Sequence, residues 1–159
     1  MFALLDMALA DGYIGSFEAK YRHLFWRPVT AIHMATTDGS PATEPDPGWT
    51  LLEPTPAIPD HDSAHSVEGG AAAAVLGRVL GTDRVRFTAC SSTLPAGSNC
   101  GEADPVLRRF RSLSAAAAEN GRSRILIGFH FRKAVEDGIE HGRRIGNRAV
   151  MQFMRPVRR

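Results

Sequence analysis

The sequence predicts an all-α protein built as a helical bundle. Apolar residues recur at helical spacing in several segments, and glycine or proline residues separate those segments. No segment shows the sustained alternation of a half-buried strand, and the single β-like piece, RVRFTA at residues 84–89, is too short to carry a sheet. We therefore expect four helices joined by two long loops, without a repeat or a second domain.

Length and composition indicate one globular domain over residues 1–159, since 43% hydrophobic and 23% charged residues are typical of a soluble protein. The net charge of +2 gives no reason to expect a nucleic acid partner. No apolar run is long enough to span a membrane. The first residues lack the basic start and cleavage site of a signal peptide. The chain is therefore expected to be cytoplasmic, or exported by means of a missing upstream segment.

The first helix is predicted over residues 2–25. It should end by Arg27, because a residue that precedes proline is disfavoured in helical conformation. Residues 36–62 then form a proline-rich loop, and loops of that length inside a compact domain are usually functional. The apolar residues of this helix lie close to one face, and they are Phe2, Leu5, Leu9, Ile14, Phe17, Tyr21 and Leu24.

The second helix is predicted from Ser63 to Leu80, with Asp62 or Ser63 as its N-cap and Gly81 at its end. Residues 69–74 have almost no side-chain volume. We therefore expect a neighbouring element to approach the backbone of this helix closely.

After a second loop over residues 82–103, the Asp104-Pro105 pair predicts the start of the third helix, which Gly121 should end. A final helical region is predicted from Ser123 to about Phe153, with breaks near two glycines, Gly128 and Gly138.

The second loop also holds the two cysteines of the chain, Cys90 and Cys100. They could form a disulfide in an oxidising compartment, or they could be two free thiols. Two cysteines are too few to indicate which.

Two basic residues near the end of the first helix form a first candidate cluster. Lys20 and Arg27 are seven residues apart, close to two helical turns, so both cations should point to roughly the same side. Taken alone, this pair is typical of a solvated basic helix end.

A second cluster lies at the start of the second helix, and three interpretations are open there. His61 and His65, four residues apart, could bind a metal with Asp60 or Asp62, although no comparable cluster elsewhere completes the ligand set. Ser63, the Ala64 amide and His65 could instead bind an oxyanion at the helix N-terminus and exchange a proton with it. The third interpretation is a capped helix followed by a surface histidine.

A third cluster consists of Arg124 and His130, which bracket the apolar residues 125–129. Alone, they are explained by a capping arginine and a histidine buried in the core. Together the three clusters supply one lysine, two arginines, a serine and two histidines. That set can hold a tetrahedral or trigonal-bipyramidal oxyanion by charge and hydrogen bonds.

The motifs KYRHLFWRP, DSAHS and SRILIGFH, in this order, resemble those of the type 2 phosphatidic acid phosphatase and vanadium-dependent haloperoxidase superfamily. The sequence between and after them is similar to the soluble, bacterial haloperoxidase-like branch. Seven positions match the functional residues of that superfamily, and they are Lys20, Arg27, Ser63, Ala64, His65, Arg124 and His130.

The resemblance implies a bound vanadate, or a phosphate in the same site, with its equatorial oxygens held by the lysine and the two arginines. The Ser63 hydroxyl and the Ala64 amide would add hydrogen bonds. His130 would be the vanadium ligand in a peroxidase and the nucleophile in a phosphatase. His65 would be the acid–base group on the opposite side.

The sequence departs from the superfamily pattern at two positions. Ala64 replaces a glycine, and Ala134 replaces the acidic residue that many members carry four residues after the second histidine. Glu136 or Asp137 would then have to orient His130, or no residue does. Members of this branch are also longer at the N-terminus, so the chain is expected to be a fragment of the bundle or a homodimer that covers its exposed helical faces.

The resemblance leaves three functions open. The first is a haloperoxidase that uses hydrogen peroxide and halide, and similarity outside the motifs favours it. The second is an acid phosphatase that hydrolyses a phosphate ester through a phosphohistidine, because vanadate and the phosphoryl transition state are alike in shape and charge. The third is a catalytically weak oxyanion-binding remnant, indicated by Ala64 and Ala134.

Overall fold

The computed structural model describes residues 1–94 and 97–154, and it is mostly helical. Residues 95–96 and 155–159 lie outside these ranges. Parts of the expected loop over 82–103 and of the expected domain over 1–159 are therefore not described. Within the described ranges, no helix is both long and apolar enough to cross a membrane. The elements are helices α1 (Phe2–His23), α2 (Pro28–His33), α3 (Ala64–Leu80), α4 (Leu113–Leu126) and α5 (Arg132–Gln152), a 3-10 turn (Ala35–Thr37), and strands β1 (Phe87–Ala89) and β2 (Arg108–Phe110).

The all-α class is confirmed, and α3 is the central helix, packing against α1, α4 and α5. The predicted close approach to its small residues is also confirmed. At Gly70 the backbone of α5 lies so near that a β-carbon would overlap the carbonyl oxygen of Ile139. At Gly142, on α5, a β-carbon would overlap the carbonyl oxygen of Val67. The two helices therefore touch backbone to backbone.

The piece at 84–89, predicted to be too short to carry a sheet, contributes one strand of a small sheet. Strands β1 and β2 form a two-stranded antiparallel hairpin in which Phe87 lies opposite Phe110, with their ring centroids 5.1 Å apart. The partner strand, Arg108–Phe110, lies in the stretch that the sequence predicts as the first part of the third helix. Pairing of the two aromatic side chains favours a strand over the short helical start predicted at Asp104.

Helix α4 accordingly begins at Leu113, and the Ser112 hydroxyl caps it by accepting a hydrogen bond from the Ala115 amide at 3.0 Å. Gly121 does not end the helix, and its missing side chain instead makes room for Val135. The predicted break at Gly128 is confirmed, since this residue has a φ of +87° between α4 and α5.

The predicted break at Gly138 is wrong, because α5 is continuous through it. A β-carbon at Gly138 would lie 2.8 Å from the carbonyl oxygen of Ser63 and 2.9 Å from the β-carbon of Ser66. The glycine therefore serves packing, by letting α5 lie directly against the start of α3.

Helix α1 forms as predicted but buries a different face. Its buried positions are Leu4, Ala8, Gly12, Ser16 and Lys20, whereas most of the apolar side chains expected to face the core are exposed. Ile14, for example, is 69% exposed. Small residues face α3 because that helix is itself made of small residues and lies close, so larger apolar side chains are left on the outer surface.

Cys90 and Cys100 form a disulfide, with their α-carbons 5.4 Å apart. The bond closes the loop that precedes β2, and it decides between the two alternatives that the sequence left open.

Candidate functional site

The three predicted clusters meet at one end of the bundle. Arg27 lies 3.2 Å from the ring of His130, and Lys20 donates to backbone carbonyls of the loop that leads into α3. The His130 amide donates to the carbonyl of Arg124 at 3.2 Å, and the Ser63 amide donates to the carbonyl of Ala134 at 3.0 Å. Residues far apart in sequence are thereby joined around the N-terminus of α3.

Lys20 is almost fully buried. Its ammonium group donates to the carbonyl oxygens of Pro59 at 3.1 Å, Asp60 at 2.8 Å and Asp62. Burial, and next the charge of Arg27, lowers the pKa of Lys20 to about 8. Lys20 therefore fixes the path of the loop and places a positive charge beside α3.

Arg27 connects the same loop to the residues after α4. Its Nε donates to the carbonyl of Ile58 at 2.8 Å, and its Nη1 donates to the carbonyl of Phe129 at 2.8 Å and lies 3.2 Å from Nε2 of His130. Desolvation lowers the pKa of this guanidinium, and the nearby Asp60 carboxylate opposes that shift. The cation is held in one position and points toward the ring of His130.

His130 is buried, and its Nδ1 lies 2.7 Å from Oδ1 of Asp60. A carboxylate at that distance favours a proton on Nδ1, which leaves the lone pair on Nε2, the nitrogen that faces Arg27. Burial lowers the pKa of His130, while the Asp60 contact raises it by a smaller amount. The structure thus presents an imidazole whose Nε2 lone pair accepts a hydrogen bond from Arg27.

Asp60 is the residue that sequence reasoning missed. The sequence suggested Asp60 only as a possible metal ligand beside His61 and His65, but it is fully buried, its amide donates to the carbonyl of Phe25 at 2.9 Å, and its carboxylate lies 3.9 Å from Arg27. The expectation that Glu136 or Asp137 orients His130 is therefore wrong. No local pattern distinguishes Asp60 from an exposed loop aspartate, because its partners come from distant segments.

Asp137 instead pairs with His61 and Lys133, and not with His130. Its carboxylate lies 2.9 Å from Nε2 of His61 and also contacts Lys133. Those contacts, led by the hydrogen bond from Lys133, hold the pKa of Asp137 below its usual value. His61 is thus engaged away from His65.

Asp62 has buried partners of its own rather than a cap role. Its carboxylate accepts a hydrogen bond from the Ser16 hydroxyl at 2.7 Å and lies 2.7 Å from Nδ1 of His141. Ser63 is the N-cap residue of α3, with no side-chain capping bond.

The side chains first considered as metal ligands therefore diverge. Across residues 1–94 and 97–154, no group of three or more His, Cys, Asp or Glu side chains is arranged to hold a metal ion.

Three buried donors at or beside the site have no hydrogen-bond partner among the described residues, and they are the Ser63 and Ser66 hydroxyls and Nε of Arg124. Nδ1 of His130 and the Asp60 carboxylate also lack one there, since their 2.7 Å contact is an ion-pair contact without hydrogen-bond geometry. The guanidinium of Arg124 also lies over the ring of Phe129, 4.9 Å from its centroid. Ala64 begins α3, where backbone N–H groups lack intrahelical acceptors. Because leaving such donors without acceptors is costly, this arrangement fits an oxyanion.

His65 lies at the exposed edge of this arrangement. The side chain of Asn120 fixes its backbone by donating to its carbonyl at 2.9 Å. Partial desolvation, and next the charge of Arg124, lowers the pKa of His65, while Glu68 opposes the shift. His65 is thus neutral near pH 7 and able to accept a proton.

Comparison with known proteins places this chain in a family. The sequence model described as the VCPO second helical-bundle domain matches residues 1–159. The chain belongs to this family. The predicted resemblance to vanadium-dependent haloperoxidases is thereby confirmed.

Individual relatives agree with that assignment. The vanadium chloroperoxidase of Curvularia inaequalis is 28% identical over 169 residues, which are 83% of this chain and 27% of that protein. A crystal structure of a bacterial vanadium-dependent iodoperoxidase is 31% identical, with a TM-score of 0.74 over 95% of this chain and 32% of the other.

A holo-type bacterial vanadium-dependent chloroperoxidase, 22% identical, shares the fold with a TM-score of 0.73 over 92% of this chain and 34% of the other. The chain thus spans about a third of the length of these relatives.

Proposed function

We propose that this chain carries the vanadate-binding site of a vanadium-dependent haloperoxidase, an enzyme that oxidises halide with hydrogen peroxide. The observation that carries the proposal is the setting of His130, whose Nδ1 lies 2.7 Å from the buried Asp60 carboxylate and whose Nε2 faces the Arg27 guanidinium at 3.2 Å. Bound vanadate would supply Lewis-acid activation of the peroxide. The sequence similarity to vanadium-dependent enzymes supports the same cofactor.

In this proposal Lys20, Arg27 and Arg124 neutralise the negative charge of the oxyanion. The Ser63 hydroxyl and the Ala64 amide donate hydrogen bonds to it, and Nε2 of His130 is the metal ligand. Asp60 keeps the proton of His130 on Nδ1, so that the lone pair stays on Nε2. These groups are held by backbone contacts before any ligand arrives, which limits the reorganisation that binding requires.

His65 is proposed to move the proton. Its position at the exposed edge and its lowered pKa suit a neutral base that accepts a proton from peroxide and later returns it. Because Asn120 fixes its backbone, the imidazole stays near the start of α3.

The same setting of His130 also favours a second candidate, an acid phosphatase. Nε2 would attack the phosphorus of a phosphate ester, forming an N–P bond while the ester P–O bond breaks, and His65, in its protonated form at acidic pH, would give its proton to the leaving oxygen. Water would then hydrolyse the phosphohistidine. The third candidate, a weak oxyanion-binding remnant, rests on Ala64 at the first position of α3.

We also propose that residues 1–159 belong to one domain. Helix α3 packs against α1, α4 and α5, and the candidate site draws residues from all of these helices or their adjoining loops.

A paired assay separates the three functions. The protein is supplied with vanadate, bromide and hydrogen peroxide, and separately with a chromogenic phosphate ester. Bromination that H130A abolishes and H61A retains supports the haloperoxidase, since His61 belongs to the same loop but pairs with Asp137. Ester hydrolysis that vanadate inhibits supports the phosphatase. If neither activity occurs and vanadate still raises Tm, the result supports the third candidate, the weak oxyanion-binding remnant. If vanadate does not raise Tm either, the oxyanion site itself is refuted.

A further inference from the structure

The hairpin carries a basic surface that the candidate site does not use. In the observed register Phe87 lies opposite Phe110 and Thr88 opposite Arg109, and Arg86 and Arg111 adjoin the ends of the two strands next to the Phe87–Phe110 pair. Side chains of a strand alternate between its two faces, and directly opposite residues share a face. The phenylalanine pair therefore lies on one face of the hairpin, and Thr88 and Arg109 lie on the other.

A cavity of about 530 Å³ lies against the hairpin. It is lined by Arg86, Phe87, Thr88, Arg109, Phe110 and Arg111. None of these lining residues is acidic, so the three guanidinium groups and the Thr88 hydroxyl make this concave surface rich in hydrogen-bond donors.

The three arginines have no carboxylate partner in the part of the chain that the structure describes. Their neighbour on the same strand differs, because Arg108 makes a two-point contact with Glu119 at 2.7 and 2.8 Å. Like charges that lie close together repel one another, and Arg86, Arg109 and Arg111 line the same cavity. An anion between them would remove this repulsion.

We infer that this hairpin surface binds a doubly charged oxyanion group of the phosphate type, either free or attached to an organic molecule. The guanidinium fork matches two oxygens of such a group, and three forks around one cavity can serve a group with several acceptor oxygens. The site is distinct from the candidate oxyanion site, because no residue that lines the hairpin cavity belongs to the three clusters around the N-terminus of α3. It does not depend on the proposed function.

NMR titration of the whole protein tests the inference, with backbone amide signals reporting each site. Inorganic phosphate and phenylphosphonate serve as probes for the free and the organic source, against sodium chloride at equal ionic strength. We expect both probes to shift the amides of Thr88 and Arg109, and the apparent affinity to weaken as salt is raised. The amides of Ala64 and His65 report binding at the oxyanion site in the same spectra.

Variants complete the test. R86Q/R111Q and, separately, R109Q are expected to weaken hairpin binding by about tenfold or more, the cost of losing a charge-assisted contact. R132Q, which removes an exposed arginine on α5, is the control and should leave it unchanged. If phenylphosphonate shifts the hairpin amides and inorganic phosphate does not, the site binds an oxyanion group that is attached to an organic molecule. Hairpin amides that do not shift, or that shift equally in R86Q/R111Q, refute the inference whatever occurs at Ala64.

Discussion

Asp60 and His130 form a buried pair in which Oδ1 of the carboxylate lies 2.7 Å from Nδ1 of the imidazole. Both side chains are almost fully shielded from solvent, and Arg27 contacts both of them. The pair joins the loop before α3 to the junction between α4 and α5. It fixes which nitrogen of His130 is available, and the chemistry of the site depends on that choice.

Replacement of Asp60 by asparagine should weaken vanadate binding by about 10- to 100-fold, the range found when a partner of a metal-ligating histidine is lost. The amide cannot supply the negative charge that holds the proton on Nδ1. Vanadate-dependent change in Tm, or ⁵¹V NMR, measures the affinity. The matched control is D137N, because Asp137 pairs with His61 and Lys133 instead. Equal losses in both variants would contradict the assignment of Asp60.

Oxyanion binding should weaken as pH rises through about 8, the pKa of Lys20, and it should fall by about tenfold per pH unit above it. Stability should respond in the opposite sense. Between the folded pKa of about 8 and the usual value of 10.5, the unfolded chain holds a proton that the folded chain has lost. Lys20 therefore favours folding increasingly as pH rises through that range.

Sulfate is a suitable probe for this pH dependence, because its double charge does not change over the range. Calorimetric titration from pH 7 to 9.5 measures the affinity. In K20R the side chain stays charged throughout, so the decline should disappear. A decline of the same size in K20R would assign the titration to another group.

Removal of the Ser16 hydroxyl should destabilise the protein by about 1–3 kcal/mol, since S16A leaves the buried Asp62 carboxylate without one of its hydrogen-bond donors. Denaturant unfolding measures the change. T37A removes a hydroxyl that is exposed and donates only to a nearby carbonyl, so it should cost about 0.5 kcal/mol or less. If the two variants are equally stable, the Ser16–Asp62 bond contributes nothing.

Two glycines of α3 should respond oppositely to alanine. In G70A the new β-carbon would overlap the carbonyl oxygen of Ile139, and separating α3 from α5 should cost about 1–3 kcal/mol or more. In G77A the nearest atom outside the helix is 3.9 Å away, so the better helix propensity of alanine should stabilise the protein by about 0.5–1 kcal/mol. Thermal unfolding of both variants checks the signs, and a stabilised G70A would contradict the observed helix spacing.

The sequence by itself determined the all-α class and the limits of α1 and α3 to within a few residues, and the resemblance of its three motifs supplied the seven positions proposed for the candidate site. It could do so because helical spacing, proline and glycine positions, and the distances within each motif are local properties of the chain. The same information misplaced the start of α4 and overlooked the hairpin, where pairing between Phe87 and Phe110 overrides local propensity.

Only the tertiary structure shows which carboxylates of the loop before α3 are buried and which side chains they contact. Asp62 meets His141 across 79 positions of sequence, and Asp60 meets His130 across a similar span. It also decided which face of α1 is buried, because small residues on α3 bring the helices too close for large side chains. A residue's burial and its distant partners depend on how the elements pack, and no local pattern in the sequence encodes that packing.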